Sequence, residues 1–261
     1  MPPPRFKLAI LMATSIVLAG FMLFDLGARA NLGGKFRNVS TSESWDGFRS
    51  WEQLRPSRDL VWRNCAPGRQ CARLIVPLDY SNQDSGGEAV IALVRKPAVV
   101  PKDSKLYRGP ILFNPGGPGA SGVDFIIGET GDLFSTILGP EFDLIGFDPR
   151  GIARSIPRVS FFKTDIERSL FDYVSLPLVN GSDEGIHRTL ARAKIVGQLA
   201  AEADSGYLRH INTDYTARDM LRIVEAHGRS KLQYWGFSYG TVLGATFAAM
   251  FPVIKHSKLL A

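Results

Sequence analysis

Near the end of this chain a short segment fixes both a local geometry and a candidate chemistry: Gly236-Phe237-Ser238-Tyr239-Gly240. Upstream, Lys231-Leu232-Gln233-Tyr234-Trp235-Gly236 has the composition of a buried strand. Downstream, Gly240, Gly244 and Ala248 recur every fourth residue, giving a helix with a small-residue stripe able to lie close against a sheet. A serine between a strand and a helix, flanked by glycines, suits a sharp turn that presents its hydroxyl at a helix N-terminus. The G-x-S-x-G pattern alone is common by chance; its placement gives it weight. Ser238 is the candidate nucleophile.

A second glycine-rich segment, Asn114-Pro115-Gly116-Gly117-Pro118-Gly119, follows the apolar run Pro110-Ile111-Leu112-Phe113. By itself it is an ordinary Gly/Pro turn. Paired with Ser238, at the expected order along the chain, it becomes a loop whose backbone N–H groups approach a ligand closely, one of them joining the Tyr239 N–H to stabilise an oxyanion. Phe142-Asp143-Leu144-Ile145-Gly146-Phe147 is a second compact run, and both suit parallel strands buried on two faces. Leu74-Ile75-Val76-Pro77-Leu78 and residues 89–94 are shorter strands, with Pro77 assigning the first to an edge. Thr213 is a possible cap for a helix carrying Ala217, Met220, Leu221 and Val224, closed by Gly228. Ile186, Leu190, Val196, Leu199 and Ala203 form a rougher helical stripe. Strands alternating with helices predict an α/β fold with a mostly parallel sheet and flanking helices.

The combination resembles the proline iminopeptidase and tripeptidyl aminopeptidase-like branch of the α/β-hydrolases, particularly secreted fungal and actinobacterial members. It rests on Cys71-Ala72-Arg73-Leu74-Ile75-Val76-Pro77-Leu78-Asp79-Tyr80, the 114–119 loop, Gly146-Phe147-Asp148-Pro149-Arg150-Gly151 and residues 232–252. The resemblance implies a serine hydrolase that releases N-terminal residues or short peptides. It makes Ser238 the nucleophile, Gly117 and Tyr239 the oxyanion donors, and Gly116, Asp148 and Arg150 site-organising residues. The plainer role for Asp148 and Arg150 is a strand-end turn held by an ion pair. Ala153 stands where the family loop usually has glycine.

A catalytic serine needs a histidine base and a carboxylate to orient it, in this fold downstream of the serine. After Ser238 there is no Asp or Glu, and His256 is the sole histidine, too near the serine helix to be the base. His187, His210 and His227 lie upstream and fit surface, capping or core positions. The acid, base and cap are therefore expected beyond residue 261. The later strands are expected to be missing, leaving the strand at Gly236 with an open edge, and activity of this polypeptide alone is expected to be absent.

Four segments are expected: a signal peptide or anchor over 1–30, an irregular lead-in over 31–60, the hydrolase portion over 61–252, and an atypical tail over 253–261. Arg5 and Lys7 precede an uncharged, mostly apolar run at 8–24, followed by Ala28-Arg29-Ala30. That order fits a secretory signal, or alternatively a single-pass anchor. The same compartment suits the sequons at Asn38 and Asn180, and a disulfide between Cys65 and Cys71 across the turn pair Pro67-Gly68, the alternative being two free thiols. With 45% hydrophobic and 21% charged residues the chain is globular, and its net charge of +6 is spread without a dense basic run, which argues against nucleic-acid binding. No metal or cofactor is expected; the partner is a peptide or small acyl substrate. An esterase or lipase, and a non-catalytic remnant that acts as a binding protein, are the competing functions. Dehalogenase and epoxide hydrolase chemistry is disfavoured, because those relatives place Asp where Ser238 stands.

Overall fold

The structure, a computed structural model, describes residues 48–82, 87–173 and 178–252, and the backbone of 258–260. The apolar run at 8–24, the Asn38 sequon and His256 lie outside the described residues. In chain order the elements are β1 (Arg63–Ala66), β2 (Arg69–Pro77), β3 (Glu88–Lys96), β4 (Gly109–Asn114), α1 (Gly122–Ile127), α2 (Glu129–Leu138) and β5 (Phe142–Phe147). They continue with α3 (Asp165–Tyr173), α4 (Gly185–Ala203), α5 (Thr213–Ala226), β6 (Gln233–Gly236), α6 (Tyr239–Met250) and β7 (Lys258–Leu260).

The strands form one mixed sheet in the order β1-β2-β3-β5-β4-β6-β7. The first three strands and β5 pair antiparallel, and β5, β4, β6 and β7 pair parallel. All six residues of β4 are buried, as a continuous apolar run covered on both faces requires. The two-residue period then splits the core. Leu112 and Ile145 join Ala217, Met220, Ile223, Leu243 and Phe247 under α5 and α6. Ile111, Phe113 and Leu144 join Val123, Ile126 and Phe134 under α1 and α2. Gly146 lets α1 approach: a Cβ there would stand 1.9 Å from the Gly122 carbonyl oxygen, so any side chain would push α1 off the sheet. Cys65 and Cys71 are disulfide-bonded between β1 and β2, with Cα atoms 5.7 Å apart.

Three local expectations need correction. Pro77 does not mark an edge strand, because β2 lies between β1 and β3. It is tolerated because β1 pairs only with Arg69–Cys71 and stops short of it. The cap of α5 is Asn212, whose Oδ1 accepts from the Tyr215 N–H at 2.8 Å, while Thr213 is the first helical residue. At the other end of α5, Gly228 (φ +73°) and Arg229 donate to the Glu225 and Val224 carbonyls in a Schellman arrangement. The stripe on α4 is helical as expected, with Ile186 and Leu190 exposed and Gly185 that helix's one buried residue. Finally, β6 is not left open, since Gln233, Tyr234 and Trp235 pair with Lys258, Leu259 and Leu260.

Candidate active site

The turn from β6 into α6 holds Ser238 at φ 51°, ψ −119°, a conformation that L-residues with a Cβ rarely adopt. Three clamps hold it there. The Phe237 N–H donates to the Asn114 carbonyl at 3.0 Å, just beyond the β4–β6 ladder that pairs Asn114 with Gly236. The buried Tyr234 hydroxyl donates to the Gly240 carbonyl at 2.7 Å. The Tyr239 hydroxyl is hydrogen-bonded to Thr213 Oγ1 at 2.7 Å. Gly240 is required by close approach, since a Cβ there would lie 2.7 Å from the Asn114 carbonyl oxygen.

The 114–119 loop lies directly on this turn. Gly116 adopts φ +96°, and a Cβ on it would stand 2.3 Å from the Phe237 carbonyl oxygen and 3.0 Å from Ser238 Cβ. Its N–H is spent on Asn114 Oδ1, at 2.9 Å. The N–H groups of Gly117 (φ +106°) and of Tyr239, the first residue of α6, make no hydrogen bond among the described residues. Two uncommitted donors therefore flank a strained, outward-turned serine, and α6 begins beside it with the positive end of its dipole.

Asp148 and Arg150 support this site from behind. Asp148 is fully buried; its carboxylate accepts from the Ser121 hydroxyl, from the Val123 N–H at 3.1 Å and from the Arg154 N–H at 3.1 Å. It thereby ties the cap of α1, just after the 114–119 loop, to the loop after β5. Burial pushes its carboxyl up, against those hydrogen bonds. Arg150 pairs with Asp219 rather than with Asp148. Its Nε and Nη2 donate to the two Asp219 oxygens, each at 2.7 Å. Its remaining N–H groups reach the carbonyls of Leu78 (2.8 Å), His210 (3.1 Å) and Pro77 (3.1 Å), so all five donors are used. The guanidinium lies over the rings of both Tyr80 and Tyr215, which meet edge-on, and the Tyr80 hydroxyl donates to Asp219 at 2.8 Å.

None of the three described histidines joins Ser238. His187 is exposed on α4, His210 stacks on Tyr215, and His227 lies 3.4 Å from Asp143 at the end of α5. Beside the 114–119 loop runs a groove of about 530 Å³, reached from Gly119 and Ser121 and walled by Phe162 ahead of α3, Phe171 of α3 and Arg192 of α4. Asn180 is exposed in the turn before α4. Sequence reasoning missed Asn114 as the bracket between loop and turn, and Asp219 as the partner of Arg150. Each had a signal: a polar residue closing an apolar strand, and a carboxylate on the apolar face of α5.

Comparison with known proteins agrees with this geometry. The family described as alpha/beta hydrolase fold matches residues 109–256. Serine protease Hip1 of Mycobacterium tuberculosis is 33% identical over 260 residues, covering 98% of this chain and 47% of that protein. Tripeptidyl aminopeptidase of Streptomyces lividans is 33% identical over 207 residues, covering 74% of this chain and 36% of that protein. Carboxylesterase B of Mycobacterium tuberculosis is 32% identical over 194 residues, covering 72% and 33%. The chain thus spans about half the length, or less, of the curated relatives it matches. The family match runs from the strand that leads into the 114–119 loop through the strained serine and its helix, and on that ground the chain belongs to the α/β-hydrolase family.

Proposed function

We propose that the protein is a serine hydrolase of the exopeptidase kind, releasing N-terminal residues or short peptides through an acyl-enzyme on Ser238. One observation carries the proposal: Ser238 is held at φ 51° with Gly116 packed against its Cβ, and the Gly117 and Tyr239 N–H groups have no partner among the described residues. In the proposed reaction the Ser238 oxygen attacks the scissile carbonyl, those two N–H groups take the developing oxyanion, and a histidine accepts the serine proton and returns it to the leaving amine. Water then hydrolyses the ester. Residues 239–261 hold no carboxylate side chain, so the acid and base are assigned to none of them. The peptidase names of two relatives support the substrate class.

The carboxylesterase relative favours a second reading, an esterase acting through the same serine. Kinetics of the full-length protein on aminoacyl and tripeptidyl anilides against simple acyl esters separate the two. Higher kcat/KM on the anilides supports the exopeptidase. Ester hydrolysis without anilide cleavage moves the esterase ahead. Absence of any Ser238-dependent activity, with no labelling by a fluorophosphonate, refutes both and leaves a binding role. The proposal also places the protein in the secretory pathway, by cleaved signal or by anchor at 8–24, with Asn180 open to glycosylation. Cell fractionation checks this.

A further inference from the structure

The clamp on Tyr239 comes from outside the motif that carries Ser238. Thr213 lies 26 residues upstream, and its Oγ1 meets the Tyr239 hydroxyl at 2.7 Å. Both side chains are half-buried, and the Tyr239 ring packs against the core cluster beneath α5 and α6. Thr213 is itself firmly placed. It opens α5 directly after the Asn212 cap, and the preceding His210 carbonyl accepts from the buried Arg150 at 3.1 Å. Two residues on, the Tyr215 hydroxyl donates to Asp79 at 2.6 Å.

Tyr239 is also the residue immediately after the strained serine, and its N–H has no partner among the described residues. At this first helical position no intrahelical bond fixes the N–H direction, so its aim depends on the backbone torsions around Tyr239. A ring tethered at its far end restricts the side-chain torsions and, through them, that backbone.

We propose that Thr213 is a positioning residue for the reaction at Ser238: by holding the Tyr239 hydroxyl it fixes the direction of the Tyr239 N–H that stabilises the oxyanion. This rests on the assignment of Ser238 and Tyr239 above. An aimed donor matters most where charge develops, so losing the tether lowers the rate of the chemical step and leaves substrate binding nearly unchanged.

The test is made on the full-length protein with a fluorophosphonate, resolving the maximal labelling rate from the concentration at half-maximal rate, and with the best anilide or ester substrate. Thr213→Val is expected to lower the maximal rate and kcat by about five- to tenfold, the equivalent of roughly one net hydrogen bond, at unchanged KM. Thr213→Ser is expected to restore the rate. Tyr239→Phe is expected to match Thr213→Val, and the double variant to be no slower than either single variant. Equal rates for Thr213→Val and the parent overturn the inference while leaving the hydrolase assignment intact, as do multiplicative losses in the double variant. A change confined to KM also overturns it. A parent that is never labelled at Ser238 overturns the assignment, and the inference with it.

Discussion

Replacing Arg150 with methionine tests whether the buried Arg150–Asp219 pair braces the fold behind the site. Both side chains are 1% exposed. The substitution keeps most of the aliphatic volume against Tyr80 and Tyr215 but strips Asp219 of two charge-assisted bonds at 2.7 Å, leaving the Tyr80 hydroxyl as its partner. Carbonyls of Pro77, Leu78 and His210 lose their donor as well. Breaking one side of such a pair costs about 3–5 kcal/mol, mostly because the remaining charge stays buried. At roughly 2–4 °C per kcal/mol for a domain of this size, the melting temperature should fall by about 10–15 °C. Burial already pushes the Asp219 carboxyl up, against the pull of Arg150. Without the guanidinium it takes up a proton more readily, so the deficit should shrink as pH falls and widen as pH rises through the raised value. Urea unfolding followed by tryptophan fluorescence at several pH values measures this. Adding Asp219→Leu to Arg150→Met should recover about 1–2 kcal/mol, since neither charge is then stranded. A loss under 1 kcal/mol in the single variant, or full additivity in the double, would refute the reasoning.

Three other expectations follow from local geometry. Asp143 is held down at about 2: burial raises it, but the approach of His227 Nε2 at 3.4 Å, hydrogen bonds from the Ala98 N–H and Tyr107, and the charge of Arg95 outweigh that. Its contribution of about 2 kcal/mol is present above pH 4 and lost as pH falls toward 2, and acid unfolding of Asp143→Asn should lack that component. Ala153 sits at φ 45°, so Ala153→Gly should relieve strain that offsets the usual entropic cost of glycine; thermal melting should show no loss beyond about 0.5 kcal/mol. Gly116→Ala drives a Cβ into the Phe237 carbonyl and should cut Ser238 labelling about a hundredfold, measured by fluorophosphonate kinetics. Gly119→Ala, at φ +113° but with open space around it, separates backbone strain from that clash.

Much of the sheet centre was legible because its strands are covered on both faces and carry unbroken apolar runs between glycine-rich turns. The strained serine was legible for a related reason: a glycine pair around a serine between strand and helix has few other uses. Long-range polar pairing was not. Arg150 and Asp219 are 69 residues apart, and nothing local in a Pro-Arg-Gly turn says which carboxylate it will meet. The cap of α5 was misplaced by one residue because Asn212 and Thr213 are both good caps; the asparagine carbonyl reaches the Tyr215 N–H. The α4 stripe shows the limit of periodicity, which marks a helix but does not say whether anything in the described fold covers Ile186 and Leu190.

Asn114 gives the two halves of the site a shared origin. Its carbonyl holds the Phe237 N–H and its side-chain oxygen holds the Gly116 N–H, so serine turn and oxyanion loop hang from one residue at the tip of β4. Bending or twisting of the sheet then displaces the Ser238 turn and the 114–119 loop together, as a common-mode movement that cancels in their separation. A pocket suspended this way keeps its internal distances while the scaffold around it breathes. Substitutions elsewhere in the sheet should therefore erode stability well before they blur the catalytic geometry.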